Sequence, residues 1–130
     1  MQARPEGHDD RALAQTALGE VLIELGRASE AEALLRTALA SRRHAAPDGS
    51  TAAAETAGLL VDCLIAANRV DEAEPIAVEA VREVETHQGA ASPRTRRAIS
   101  RLAELYERTN RHAAAADLLG RLDPKPPREP

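Results

Sequence analysis

The feature that most constrains this chain is a fixed spacing. Tight-turn signals stand at Gly26-Arg27, Asn68-Arg69 and Asn110-Arg111, and the differences 68 − 26 and 110 − 68 are both 42. Apolar positions keep the same step: Leu18, Leu60, Leu102; Leu22, Leu64, Tyr106; Ala31, Ala73, Ala115; Leu34, Ile76, Leu118. A period of this size marks an array in which one supersecondary unit is laid on the next. Each unit reads as two amphipathic helices around the turn, as in residues 18–39, LGEVLIELGRASEAEALLRTAL. Such a pair can bury its apolar stripe only against its neighbours, so the core is expected to be a continuous ribbon. The expected fold class is all-α: an α-α superhelix, or solenoid, of three helix pairs.

Local signals punctuate the three units. Residues 1–8 hold Arg4, Pro5, Gly7 and His8, a poor helix, and are expected to be a flexible N-terminal segment. Asp9 or Asp10 is placed to cap the first helix, whose apolar positions are Leu13, Ala17, Leu18, Val21, Leu22 and Leu25. Gly26 ends it, as a residue that tolerates positive φ. Ser29-x-x-Glu32 and Asp71-x-x-Glu74 read as capping boxes for the second helices of units one and two. Pro75 then falls in a first helical turn, where little backbone bonding is lost. Pro47-Asp48-Gly49 marks the loop after the first unit, and Ser50 or Thr51 starts the next helix. Ser92-Pro93 is an N-cap followed by proline at the first helical position. The units span about 9–44, 50–87 and 92–122 within a repeat region 9–122. The proline-rich, charged end 123–130 (DPKPPREP) is expected to be a disordered tail.

Composition narrows the function classes. Aromatics are 1% of the chain, Tyr106 alone, so the core must be Leu, Ile, Val and above all Ala. Alanine faces let helices approach closely and favour the helix itself. A net charge of −4 argues against nucleic acid, whose phosphates need a basic face. The single cysteine allows no internal disulfide and fits a reducing compartment, here expected to be the cytoplasm. No apolar run approaches the ~18 residues of a membrane span. The start, MQARPEGHDD, lacks the apolar core of a signal peptide.

The residues in register carry a family resemblance. Gln15-x-x-Leu18-Gly19-x-x-Leu22 with Ala31-x-x-x-Leu35, and Ile99-x-x-Leu102-Ala103-x-x-Tyr106 with Ala115-x-x-x-Leu119, resemble the tetratricopeptide repeat pattern W-x2-L-G-x2-Y…A-x3-F. The family's large aromatics are mostly replaced by smaller apolar residues. The 42-residue period, the turn Gly-Arg, the EAE and AL pairs and the Pro-Asp loop are similar to the kinesin-light-chain-like class of that family, over residues 13–122. Pro5-Glu6 plus 42 is Pro47-Asp48, so the chain opens in what resembles an inter-repeat loop. This gives the expectation of a C-terminal piece of a longer protein. The ending YERTNRHAAAADLLGRL resembles the last repeat of bacterial Ser/Thr protein kinases with C-terminal arrays of this kind, and the Ala- and Arg-rich composition resembles that of GC-rich bacteria.

The resemblance implies a right-handed stack whose first helices line a concave groove. Carried over by register, the groove positions are Leu13, Thr16, Ala17, Glu20, Ile23 and Glu24 in unit one. Unit two gives Glu55, Gly58, Leu59, Asp62, Ile65 and Ala66, and unit three Arg97, Ser100, Arg101, Glu104, Glu107 and Arg108. The candidate peptide-binding residues are Glu20, Ile23, Glu24, Glu55, Asp62, Ile65, Arg97, Arg101, Glu104 and Arg108. Glu20, Asp62 and Glu104 form an acidic line where chaperone-binding members carry Lys and Asn, so a clamp for a terminal carboxylate is disfavoured. A groove for a peptide of basic or mixed charge is implied instead. The plainer alternative is solvated helix-face charge, with Glu104 paired to Arg101 or Arg108 in its own helix.

Nothing in the residue pattern points to catalysis, a cofactor or a bound metal. His8, His44, His87 and His112 fall at loops or helix ends, Cys63 occupies a core register between Val21 and Leu105, and no glycine-rich phosphate loop or CxxC occurs. The leading expectation is a scaffold module that binds an unidentified protein or peptide. Two alternatives stand beside it. One is a sensor taking a small molecule or signalling peptide in the groove; the other is a structural module that self-associates through exposed end helices.

Overall fold

The turn chemistry repeats in atomic detail. Gly26, Asn68 and Asn110 all take positive φ, at 77°, 60° and 62°. In each, the arginine that follows donates its backbone N–H five residues back: Arg27 to Leu22 O (2.7 Å), Arg69 to Leu64 O (2.8 Å) and Arg111 to Tyr106 O (2.8 Å). Gly26, Asn68 and Asn110 themselves donate to Ile23, Ile65 and Glu107. This pair of bonds is the Schellman motif, which satisfies the last carbonyls of a helix and reverses the chain within two residues.

The structure is a computed structural model and describes residues 10–122. The expectations for residues 1–8, for Asp9 and for the tail 123–130 lie outside the described residues. Six helices follow in order: α1 (Asp10–Glu24), α2 (Ala28–Ala45), α3 (Thr51–Ala66), α4 (Val70–Gln88), α5 (Pro93–Arg108) and α6 (His112–Gly120). Among the described residues there is no strand. Every helix packs on its sequence neighbours, and contacts two steps apart occur only between α1 and α3 and between α3 and α5. The first helices of successive pairs therefore touch, while the second helices do not.

Two helices start as the side-chain caps dictate. Ser50 Oγ accepts from Ala53 N at 3.0 Å, and Ser92 Oγ accepts from Thr95 N at 3.1 Å with Pro93 opening α5. The capping boxes at Ser29 and Asp71 do not form. Because the Schellman turns reverse the chain so abruptly, α2 and α4 begin two residues earlier, with Arg27 and Arg69 as N-caps that make no side-chain cap bond. Each arginine instead curls onto the acid three residues ahead. Arg27 Nε reaches Glu30 at 2.6 Å, and Arg69 Nε reaches Glu72 at 2.6 Å. Glu32 and Glu74, freed from capping, point to the next unit's turn arginine: Glu32 to Arg69 at 2.7 Å and Glu74 to Arg111 at 3.1 Å. The earlier start also puts Pro75 sixth in α4, not in its first turn, so the helix forgoes the bond to the Asp71 carbonyl.

The core is built of small aliphatics, as the composition leads one to expect. Leu35, Leu60, Leu64, Ile99 and Leu105 are its largest fully buried apolar side chains, with Ala31, Ala38, Ala53, Ala57, Ala73, Ala77 and Ala115 between them. The stripe expected on the first helix is largely uncovered. In α1 only Ala12, Gly19 and Leu22 are buried, whereas Leu13, Leu18 and Val21 are exposed, as is Leu25 just past its end. The counterparts of Leu18 and Val21 in α3 and α5, Leu60 with Cys63 and Leu102 with Leu105, are buried where a helix pair precedes them, and α1 has none before it among the described residues.

Candidate functional site

Helical spacing brings a mixed set of side chains to one side of the first helices. In α5, Arg94, Arg97 and Arg101 recur at three and four residues, so they share a face. In α3, launched by the Ser50 cap, Glu55, Leu59 and Asp62 do the same. A cleft of about 400 Å³ runs across α1, α3 and α5 at this face. Ala54, Leu59 and Ala98 supply an apolar floor, while Glu20 and Thr16 come from α1 and Arg94, Arg97 and Arg101 from α5. Val84 and Gln88, from the end of α4, close one side.

Most charges around the cleft are already neutralised. Arg101 grips Asp62 with both arms, Nε to Oδ1 at 3.0 Å and Nη2 to Oδ2 at 3.1 Å. Its guanidinium lies against Gly58, where a Cβ would collide with it. Arg94 is hydrogen-bonded to Glu55. Behind the α1 wall, Thr16 donates to the Ala12 carbonyl at 2.7 Å, and its oxygen lies 3.1 Å from the buried Thr56 hydroxyl. Thr56 in turn accepts from Arg42 Nη1 at 2.9 Å. Two charges in the cleft remain open: Glu20 on the α1 side and Arg97 on the α5 side form no ion pair among the described residues.

Of the ten residues expected to bind, Glu20, Glu55, Arg97 and Arg101 line the cleft, and Asp62 joins through Arg101. Ile65 does not belong to an open face; it is buried in the core, where α3 has helices on both sides. Ile23 is half-buried against the same core. Glu24 is exposed away from the cleft, and Glu104 and Arg108 pair with each other at 3.5 Å further along α5. The acidic line is thus broken, since Asp62 and Glu104 are each held by an arginine and only Glu20 stays free. Arg94, Gln88 and Val84 were not among the expected residues. Arg94 was signalled by its spacing to Arg97 and Arg101, whereas Gln88 and Val84 arrive by tertiary packing of α4.

Cys63 is buried with its thiol pushed up to about 11, by burial first and by the Asp62 and Glu32 charges second, so it is a poor nucleophile. Among the described residues no three His, Cys, Asp or Glu side chains converge as metal ligands, and no helix is long and apolar enough to cross a membrane. The cleft offers a shallow apolar floor and one open charge on each of two opposite helices, an arrangement suited to reversible recognition. No model of a known protein family and no curated protein matches the chain.

Proposed function

We propose that the chain is a tetratricopeptide-type superhelix of three helix pairs that binds an extended protein segment in the α1–α3–α5 cleft. The superhelical reading draws support from the packing asymmetry. First helices touch across successive pairs and second helices do not, as on the inner and outer sides of a curved stack. The observation that carries the binding reading is the pair of open charges. Glu20 and Arg97 face the cleft from the two helices that flank α3, over a floor of Ala54, Leu59 and Ala98. A segment with a basic residue toward α1, an acidic residue toward α5 and a small apolar side chain between them satisfies all three features at once. Its affinity falls as salt rises, because exposed pairs are screened.

Panning a displayed library of random peptides against the 130-residue chain tests this. The expected yield is peptides bearing one basic and one acidic residue on either side of an apolar one. Arg97→Glu removes the demand for the acid and Glu20→Lys the demand for the base. Each screened pair is worth about 0.2–1 kcal/mol, at most roughly fivefold in affinity. Enriched peptides indifferent to both substitutions would overturn the assignment, as would no enrichment at low salt.

A further inference from the structure

The contact of α1 with α3 and the contact of α3 with α5 correspond to each other, one repeat of 42 residues apart. In the second, Asp62 of α3 is gripped by Arg101 of α5, Nε to Oδ1 at 3.0 Å and Nη2 to Oδ2 at 3.1 Å. In the first, the register puts Glu20 in the place of Asp62 and Leu59 in the place of Arg101. The carboxylate is kept, and the arginine that would answer it is replaced by leucine. Both helices of that contact are described, so the difference lies inside the stack and is made by the sequence alone.

The neighbouring positions change in step. One turn before Asp62 stands Gly58, and the Arg101 guanidinium lies so close against it that a Cβ there would collide. One turn before Glu20 stands Thr16. Thr16 takes up the room that glycine leaves, while Glu20 is longer than Asp62 by one methylene. A guanidinium held by Glu20 therefore sits farther from its helix than Arg101 does, on the open side of Thr16. That is the side from which the cleft is entered, since Thr16, Glu20 and Leu59 all line it. Of the two acids lining the cleft, Glu55 is already bonded to Arg94, and Glu20 forms no ion pair among the described residues.

We infer that the basic residue of the bound segment is an arginine, whose guanidinium takes at Glu20 the two-pronged pose that Arg101 takes at Asp62. This rests on the α1–α3–α5 cleft being the recognition face. The planar fork matches both carboxylate oxygens at once, whereas lysine brings the same charge as a point. The methylenes of the arginine rest on Leu59, as such stems do on apolar surface.

Two measurements read this. Peptides enriched on the 130-residue chain are resynthesised with arginine, lysine or citrulline at the basic position whose demand Glu20→Gln removes, and are titrated by fluorescence anisotropy at low salt. Arginine is expected to bind about two- to fivefold more tightly than lysine, with citrulline no better than lysine and all three alike in Glu20→Gln. Equal affinity for arginine and lysine, both weakened by Glu20→Gln, overturns the arginine pose and leaves the cleft reading standing. Peptides indifferent to Glu20→Gln overturn the cleft reading and this inference with it. The second measurement needs no peptide. Leu59→Arg supplies the guanidinium from within the chain, at the register Arg101 holds. Its urea midpoint is expected to be higher with Glu20 present than in Glu20→Gln, and by more than the same comparison gives for Leu59→Lys. No gain from Glu20 would overturn the register correspondence, and an equal gain for lysine would overturn the fork.

Discussion

Leu35 closes directly over Gly19: a methyl group on Gly19 would lie 2.8 Å from both Leu35 Cγ and Cδ2. The two positions recur as Val61 with Ala77 and as Ala103 with Leu119. In each of these register pairs a large residue on one helix goes with a small one on the other.

This contact sets the sign of Gly19→Ala. Alanine favours a helix interior over glycine by about 1 kcal/mol, but overpacking a closed core costs about 1–3 kcal/mol. Because Leu35 is fully buried, it cannot swing aside. Gly19→Ala is expected to lower stability by roughly 1 kcal/mol in urea denaturation. Gly58→Ala is expected to be close to neutral. There the added methyl meets the guanidinium end of the flexible Arg101 chain, and the propensity gain of about 1 kcal/mol is offset by weakening the Arg101–Asp62 pair, worth about 1 kcal/mol. If Gly58→Ala costs as much as Gly19→Ala, the size-matching account fails.

The same contrast separates what was legible in the sequence from what was not. Gly26, Asn68 and Asn110 were readable as turns because the Schellman bonds span five residues, and Ser50 and Ser92 because a cap spans three. Glu32 was misread as a capping residue because its partner Arg69 lies 37 residues away and no local rule reaches it. Leu18 resembles Leu60 and Leu102 in every local respect, yet only a neighbouring helix pair buries such a side chain. In the cleft, Glu20 and Arg97 are among the groove positions that the family resemblance implies. The capture of Asp62 by Arg101 and of Glu55 by Arg94 depends on how far α5 is set from α3.

The interunit glutamates predict a direction for acid stability. Arg111 holds the Glu74 carboxyl below the usual range by hydrogen bonding. At Glu32 partial burial pushes up, but hydrogen bonds from Arg36 and Arg69 outweigh it and the net shift is down. Glu72 is lowered by its hydrogen bond from Arg69. A folded-state pKa below the unfolded one gives stability that is complete above the unfolded carboxylate value and is lost as pH falls through the folded one. Thermal melts are therefore expected to be flat near neutrality and to decline once pH drops below the ordinary carboxylate range. Arg69→Gln, which removes the arginine shared by Glu32 and Glu72 and leaves each only Arg36, should flatten that decline. An unchanged acid slope in Arg69→Gln would remove these pairs from the account.

The Arg43–Glu83 pair predicts an asymmetry between its two members. Arg43 Nη2 lies 2.6 Å from Glu83 Oε1, yet the Glu83 side chain is 1% exposed and that of Arg43 is 34% exposed. Removing the arginine strands a buried carboxylate, at a cost of about 3 kcal/mol. Glu83→Gln keeps the shape and leaves a guanidinium that water can reach, so its cost is about 1 kcal/mol. Chemical denaturation of Arg43→Ala and Glu83→Gln measures the ordering directly. Equal losses would mean that the carboxylate is rehydrated when its partner goes.

Cys63 turns the middle unit into its own reporter. The thiol is buried in α3 between the first and third units, and its pKa is pushed up to about 11. At pH 8 the thiolate fraction is then about a hundred times smaller than for an unperturbed cysteine, before access is counted. Reaction with an aromatic disulfide reagent should accordingly proceed only through opening of the helix stack. Its rate should rise with urea along the same slope as global unfolding, because α3 is held by α1, α2, α4 and α5 and cannot open alone. A shallower slope would show that the middle pair opens without the rest, and the continuous ribbon of core would have to be divided into independent units.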